Sequence, residues 1–225
     1  MDTTFTRFPG QGFRFILITA LCLTGIHATV LPDDIFVIRD PSASDNTLTR
    51  FRGEMAKYRR IALKWQSMTG DSTSYTIEKS RDGENFAEVD SKKIRQANGE
   101  FVWMDEFPKV MNCYRLKMTE AGGHTKYSRT LVIYLPKSGN VSMVSATPDM
   151  AAKDLDVDIE LKEEAMLSML VSGTSGDVIL RQVEKANPGP NHFCIRGSQD
   201  IKPGEYLLKV VANGTDVMKV RLIKE

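Results

Sequence analysis

The sequence predicts an all-β protein built from two antiparallel β-sandwich domains, of which the second is the smaller. Three observations lead to this prediction. Short runs alternate apolar and polar residues with a period of two, which is typical of half-buried strands. Gly, Pro, Asn and Asp cluster between these runs and supply turns. Residues 136–140 (PKSGN) interrupt the pattern near the middle of the chain, so we expect the domain boundary there.

The N-terminus is typical of a secretory signal. Two arginines precede the mostly apolar run 15–26, and the small residue Ala28 follows at a suitable cleavage position. We therefore expect residues 1–28 to be a signal peptide and residues 29–47 to be an irregular lead-in. An uncleaved anchor is the alternative, but the apolar run is shorter than the ~20 residues that span a bilayer. We expect no integral membrane segment after cleavage.

Residues 48–136 show about seven short strands separated by turn signals, the pattern of an antiparallel sandwich. In residues 60–66 the alternation places Trp65 on the apolar face. Gly83 follows Asp82 in a hairpin signal, because glycine accepts a positive φ at little cost. We expect Trp65 and Tyr114 to pack in the core, with the tyrosine hydroxyl bonded to backbone near a strand corner.

Residues 141–225 continue the strand pattern. Residues 154–161 alternate acidic and apolar side chains. Residues 163–170 fit a helix on propensity, but the glycines and the β-branched residue that follow favour a strand, which is our prediction. Pro-Gly and Asn-Gly turn signals then bracket a strand at residues 205–212.

The first domain resembles a fibronectin type III domain, in the version that precedes sorting domains in Bacteroidota surface proteins. The resemblance rests on the order of Trp65, the turn at Gly83, Tyr114 and Tyr127 across residues 48–136. It implies a binding module whose ligand is a protein or a glycan, recognised through loops or an exposed sheet edge.

The second domain, residues 141–225, resembles the C-terminal sorting domain of cargo of the type IX (Por) secretion system of Bacteroidota. The features that match are a proline near the start, a mid-domain turn glycine, a Gly-x-Tyr stretch and a basic final strand. The sorting-signal candidates are Pro148, Gly176, Pro203, Gly204, Tyr206, Lys219, Arg221 and Lys224. The resemblance implies that the type IX machinery is a partner and that this domain directs passage through the outer membrane.

Removal of residues 1–28 would leave two cysteines, Cys113 and Cys194. Alternation places Cys113 on a face with Arg115, and Cys194 on a face with His192, so we expect both thiols to lean toward polar faces. Two alternatives stay open: a disulfide between the domains, and two separate thiols.

A further modification is suggested by residues 71–73, Asp-Ser-Thr. They resemble the short O-glycosylation motif of Bacteroidota, which makes Ser72 a glycosylation candidate.

Charge and motif content argue against several function classes. Without residues 1–28 the chain has 28 basic and 28 acidic residues, and its balanced charge gives no case for nucleic acid. His124 and His192 fall in different domains, and the carboxylates of residues 154–161 recur about every 6.6 Å along one strand. We therefore expect a solvated acidic face, no metal site and no cofactor. Neither a nucleophile elbow nor a phosphate-cradling loop is present in the sequence, so we expect no enzyme activity.

Together these features predict an exported, non-enzymatic cell-surface or secreted protein that travels via the periplasm. Its C-terminal domain would direct type IX secretion. The alternative is a two-module adhesive or glycan- or protein-binding protein that retains its C-terminal domain.

Overall fold

Strands make up almost all of the regular structure, which confirms the prediction of an all-β fold. The computed structural model describes residues 36–39, 48–67, 74–93, 100–120, 122–147 and 154–224. Within them the strands are β1 Phe36–Arg39, β2 Leu48–Ala56, β3 Arg60–Ser67, β4 Ser74–Ser80, β5 Ala87–Lys93, β6 Glu100–Asp105, β7 Met111–Thr119, β8 Thr125–Tyr127, β9 Leu131–Tyr134, β10 Val141–Thr147, β11 Asp154–Leu161, β12 Ala165–Gly173, β13 Val178–Ala186, β14 Gly189–Arg196, β15 Gly204–Ala212 and β16 Thr215–Lys224. Helical structure in these residues is limited to the short 3-10 turns Lys57–Arg59 and Ser198–Asp200. Neither turn has the length or hydropathy that crossing a bilayer would require of a helix.

The strands form three sheets. The central sheet has the order β14-β11-β10-β9-β7-β4-β5, and β8 pairs with β7 beside this path. A three-stranded sheet has the order β2-β3-β6, and a five-stranded sheet has the order β1-β16-β15-β12-β13. All pairings in these sheets are antiparallel except that of β1 with β16, which is parallel.

Strand β9 shows how the two smaller sheets share the central one. Leu131 and Ile133 belong to a core cluster with β3 and β4, whereas Val132 belongs to a second cluster with β12, β15 and β16. Successive side chains of a strand point to opposite faces, so the two smaller sheets cover opposite faces of the central sheet. An uninterrupted apolar run is what such a doubly covered strand needs, and β9 reads Leu-Val-Ile-Tyr.

The expected domain boundary lies inside this continuous sheet. Strands β9 and β10 are direct neighbours, with Val144 opposite Tyr134, so residues 136–140 connect two strands of one sheet. The Asn140 side chain donates to the Glu163 carbonyl oxygen at 2.9 Å and accepts from its N–H at 2.7 Å. The described residues from Phe36 onward accordingly belong to one compact unit.

The lead-in requires a correction. Within residues 29–47, expected to be irregular, residues 36–39 form β1, with Phe36 opposite Val220 of β16. Its partner comes from the other end of the chain, and a local sequence pattern carries no information about such a pairing.

We call residues 48–136 the first half of the protein and residues 141–225 the second half. The turns and strands of the second half agree with the sequence patterns. Residues 165–173 form β12, which confirms the strand over the helix. The hairpin that joins β15 to β16 turns at Asn213 and Gly214, with φ of 48° and 78°. Two consecutive positive φ angles define the two-residue turn that Asn-Gly favours.

Candidate functional site

An open groove of about 840 Å³ lies between β2 and the outer face of β11 and β14. It lies where the three-stranded sheet ends beside the part of the central sheet that it leaves uncovered. Its lining residues are Phe51, Arg52, Gly53, Glu54, Met55, Arg129, Met143, Thr147, Asp156, Asp158, Ile159, Glu160, Pro190, Asn191 and His192. The volume falls in the range of ligand pockets, about 300–1,000 Å³.

The floor of the groove is polar because of the register between β11 and β14. Asp156 lies opposite Cys194, and Asp158 lies opposite His192. The intervening residues, such as Ile195, are buried in the core on the other face. Alternation on both strands therefore brings the carboxylates of β11 and the imidazole and thiol of β14 onto one outer face.

These side chains are within bonding distance of one another. Cys194 Sγ donates to Asp156 Oδ1 at 3.2 Å and lies 3.4 Å from His192 Nε2. His192 Nε2 is 3.8 Å from Asp156 Oδ1, and His192 Nδ1 is 2.7 Å from Asp158 Oδ1. One sulfur, one nitrogen and one oxygen thus face a common point at the solvent-accessible surface.

The wall of the groove is the edge of β2. Phe51 to Met55 are five consecutive lining residues. Successive side chains of a strand point to opposite faces, so a groove that lay against one face would be lined by every second residue. Because five residues in a row line this groove, the edge of the strand faces it. Glu54 on this edge accepts from Lys64 at 2.5 Å and from Arg52 at 3.0 Å. Burial alone would raise the pKa of Glu54, but these two cations lower it.

Several sorting-signal candidates come together at one end of the five-stranded sheet. Gly204 lies opposite Lys224, and Tyr206 lies opposite Gly173, which starts the turn that contains Gly176. The Tyr206 hydroxyl donates to the Lys202 carbonyl at 2.6 Å, and Lys224 Nζ donates to the Ser198 carbonyl at 3.1 Å. This end of the sheet, which we call the β15–β16 end, also carries Pro203.

The remaining sorting candidates are not part of this set of contacts. Arg221 lies beside the β15–β16 end, 3.7 Å from Glu205, whereas Lys219 precedes it on β16 and is opposite Lys209. Pro148 of the sorting pattern and Ser72, the glycosylation candidate, fall outside the described residues.

The two cysteines have different environments and are not joined to each other. Cys113 corrects the expectation of a polar face: it is fully buried in the core cluster that includes Val132. Because Cys113 shares a strand face with Arg115, that face was expected to be polar. The five-stranded sheet covers it at Cys113 and buries the thiol. Burial, and secondarily the negative charge of Asp82, raises the pKa of Cys113 to about 12. Cys194 is partly exposed on the opposite face of the central sheet.

The Tyr114 hydroxyl differs from its expected contact. Trp65 and Tyr114 are both buried, as predicted. The Tyr114 hydroxyl, however, donates to the side chain of Asp105 rather than to backbone. Tyr206 is a tyrosine whose hydroxyl does donate to backbone, at the Lys202 carbonyl.

The cluster on the groove floor was missed by reasoning from the sequence. We expected no metal site because the carboxylates of residues 154–161, taken as a single strand, cannot converge, and because His124 and His192 were assigned to different domains. Two features of the sequence indicate such a cluster: alternation places His192 and Cys194 on one strand face, and residues 154–161 carry their carboxylates on one face of another strand. Only the register shows that Asp156 stands opposite Cys194.

Comparisons with known proteins add little beyond the fold. No protein-family model matches the sequence, and no curated protein matches it either. Among solved structures, the FN1–FN3 domains of chicken CNTN1 are 13% identical with a TM-score of 0.28, over 84% of this chain and 66% of that one. A two-domain fibronectin type III segment of chicken tenascin is 10% identical with a TM-score of 0.25, over 83% of this chain and 99% of that one.

A third solved structure is dimeric latent PorU from Porphyromonas gingivalis. It is 11% identical with a TM-score of 0.31, over 79% of this chain and 20% of that one. The chain thus spans less than two thirds of the length of CNTN1 FN1–FN3 and of PorU in these matches. At such TM-scores the likenesses assign the chain to no family and carry no argument about its function.

Proposed function

We propose that this chain is an exported, non-enzymatic binding protein that works with both halves joined, and that it binds an extended protein segment in the groove. The observation that carries the proposal is the continuity of the central sheet across residues 136–140. The groove itself needs both halves, because its wall comes from β2 and its floor comes from β11 and β14.

We expect the protein to keep residues 141–225 because the two halves share their core clusters. Cys113 and Val132 of the first half are buried in the same cluster as Leu208 and Val220 of the second. Met143 of the second half is buried in the cluster of the first. Removing residues 141–225 would expose apolar surface and leave β9 with an open edge, which favours association with other chains.

The chemistry of the groove favours a strand-like ligand with basic side chains. Among the described strands, β2 pairs with β3 alone, so its other edge offers backbone N–H and C=O groups to an added strand. The floor presents Asp156, Asp158 and Glu160 on one face. Carboxylates in a groove attract cationic groups and increase their rate of association.

A peptide titration tests the binding site. The probes are a fluorescent peptide that alternates lysine and valine, its glutamate counterpart, and a version interrupted by prolines. We expect the lysine peptide to bind best and Glu160→Lys to weaken it, while Glu88→Lys, a matched change at an exposed position of β5, leaves binding unchanged. Equal binding of the proline version, or no effect of Glu160→Lys, would contradict the proposal.

The mass of the extracellular form tests whether the halves stay joined. We expect the secreted or surface-bound protein to keep its C-terminus. A loss of about 9 kDa from that end, the size of a domain of some 85 residues, would instead indicate a sorting domain removed after export.

We propose a second role for the same half, recognition by the type IX secretion machinery, on the strength of the residues that resemble its sorting domains. The convergence of Gly204, Tyr206 and Lys224 at the β15–β16 end favours this role, since a secretion machine reads a folded surface. Such reading does not require removal of the domain, so the two roles are compatible.

The export role is tested with the full chain in a type IX-competent host and in a secretion-deficient mutant of it. We expect surface or medium localisation in the competent strain alone, and reduced export of Lys224→Glu compared with Lys185→Glu, an exposed lysine of β13. Periplasmic retention in both strains would rule out a type IX label while leaving the binding proposal in place.

A further inference from the structure

We infer that Asp156, His192 and Cys194 bind a transition-metal cation of the zinc class. This inference goes beyond the proposed function and does not depend on it. The three ligand atoms are Asp156 Oδ1, His192 Nε2 and Cys194 Sγ, and they lie within 4.8 Å of one another.

The separations between these atoms match a tetrahedral site. Zinc binds sulfur at about 2.3 Å and nitrogen or oxygen at about 2.0–2.2 Å, so tetrahedral ligand atoms are separated by about 3.3–3.6 Å. The observed separations are 3.2 Å from Sγ to Oδ1, 3.4 Å from Sγ to Nε2 and 3.8 Å from Nε2 to Oδ1. A cation therefore fits between the three atoms after adjustments of a few tenths of an ångström.

Asp158 sets the orientation that metal binding requires of His192. An ionised carboxylate accepts hydrogen bonds and donates none, so at 2.7 Å the Nδ1–H of His192 donates to Asp158 Oδ1. In the neutral imidazole with its proton on Nδ1, the Nε2 lone pair faces Cys194 and Asp156. Carboxylates bonded to the far nitrogen of a histidine are the usual outer partners of metal-bound imidazole.

The backbone holds the cluster without help from a metal. Asp156 and Cys194 are opposite each other in the β11–β14 ladder, and His192 lies two residues before Cys194 on the same face. Strand positions fixed by a ladder need little rearrangement on binding, and preorganisation of this kind improves affinity.

The mix of donor atoms selects the class of cation. Thiolate and imidazole ligands suit Zn²⁺ and its neighbours among the transition metals, whereas Ca²⁺ and Mg²⁺ take oxygen ligands. On binding, the Cys194 thiol releases its proton to solvent, and the thiolate and the Asp156 carboxylate together balance a divalent charge. Three protein ligands leave a fourth position for water or for a donor from a ligand in the groove.

The test measures metal binding by the full chain under reducing conditions, with Zn²⁺ followed by calorimetry and Co²⁺ followed by absorption. We expect one cation per chain and a thiolate-to-cobalt charge-transfer band. Cys194→Ser should abolish the band, and Cys194→Ser and His192→Gln should each lower Zn²⁺ affinity by at least about 100-fold, more than loss of an outer partner costs. His124→Gln, which alters the exposed histidine of the first half, should change neither quantity.

Asp158→Asn separates orientation from direct ligation. As a positioning residue, Asp158 should contribute about 10–100-fold to affinity, while the charge-transfer band and the thermal unfolding of the metal-free chain remain unchanged. The inference is overturned if no saturable one-to-one binding occurs, or if Cys194→Ser retains both the band and the affinity.

Discussion

The hydroxyl of Tyr114 donates a hydrogen bond to Oδ2 of Asp105 at 2.5 Å, inside the core of the first half. The same carboxylate oxygen accepts from Lys79 Nζ at 2.5 Å, and Oδ1 accepts from the Phe107 N–H at 3.0 Å. Burial, followed by the hydrogen bond and the charge of Asp105, raises the pKa of Tyr114 well above its usual range. These bonds connect the end of β6 to β4 and β7 through one buried carboxylate.

Replacing Tyr114 by phenylalanine should destabilise the protein without changing the packing of the ring. Hydrogen bonds to charged groups contribute about 1.5–3 kcal/mol, so we expect a loss of that size in the free energy of unfolding measured in urea. Tyr58→Phe is the control, because Tyr58 is 90% exposed. A loss equal to that of the control would show that Asp105 is adequately paired by Lys79 alone.

Gly53 should resist substitution by alanine because β2 passes close to β9. A Cβ at Gly53 would lie 2.2 Å from Cδ1 of Ile133, a fully buried side chain. Overpacking of this kind costs about 1–3 kcal/mol, and we expect Gly53→Ala to lower the free energy of unfolding by that amount. Ile133→Val removes the clashing methyl group, so the double variant should be less destabilised than the sum of the two single variants. Additive losses would locate the strain elsewhere.

Asp82 should give the stability a measurable dependence on acidic pH. Hydrogen bonds from the Asn85 side chain and then from the Asn85 and Glu84 backbone N–H groups lower the pKa of Asp82. Because the folded pKa lies below the unfolded value of about 3.9, the ionised group stabilises the fold above that value and loses this effect as the pH falls.

Asp82→Asn tests this dependence through urea unfolding at about pH 7, 5 and 3. The stability difference between the wild-type chain and the variant should be present at the two higher pH values and should shrink at the lowest. Asp200→Asn, which alters another exposed carboxyl group, serves as the comparison. A difference that stays constant over this range would mean that the charge of Asp82 contributes nothing.

The two described cysteines should differ strongly in reactivity. A pKa of about 12 leaves Cys113 with a thiolate fraction about 1,000-fold below that of an ordinary cysteine, and the side chain is fully buried. We expect alkylation under native conditions to label Cys194 first, and Cys113 to react only on unfolding. Peptide mapping by mass spectrometry separates the sites, and comparable native labelling of both would contradict the burial of Cys113.

The sequence predicts local features here better than pairings. Residues 163–170 and the Asn213 turn are recognisable because β propensity and positive φ are properties of a few neighbouring residues. The parallel pairing of β1 with β16 cannot be recognised in this way, because the residues around β1 do not indicate which strand it pairs with. The groove cluster lies between these cases: the shared face of His192 and Cys194 follows from alternation, whereas the position of Asp156 opposite them depends on a register set by the whole sheet.

Cleavage within residues 136–140 should leave the two halves associated. A protease site inserted there would cut the β9–β10 connection while preserving the pairing of Val144 with Tyr134 and the burial of Val132 against the second half. Because separation would expose this apolar surface to water, we expect both fragments to elute together in native buffer and apart in urea. If the fragments separated in native buffer as folded monomers, the halves would be independent, and residues 141–225 would behave as the detachable label that their resemblance to sorting domains implies.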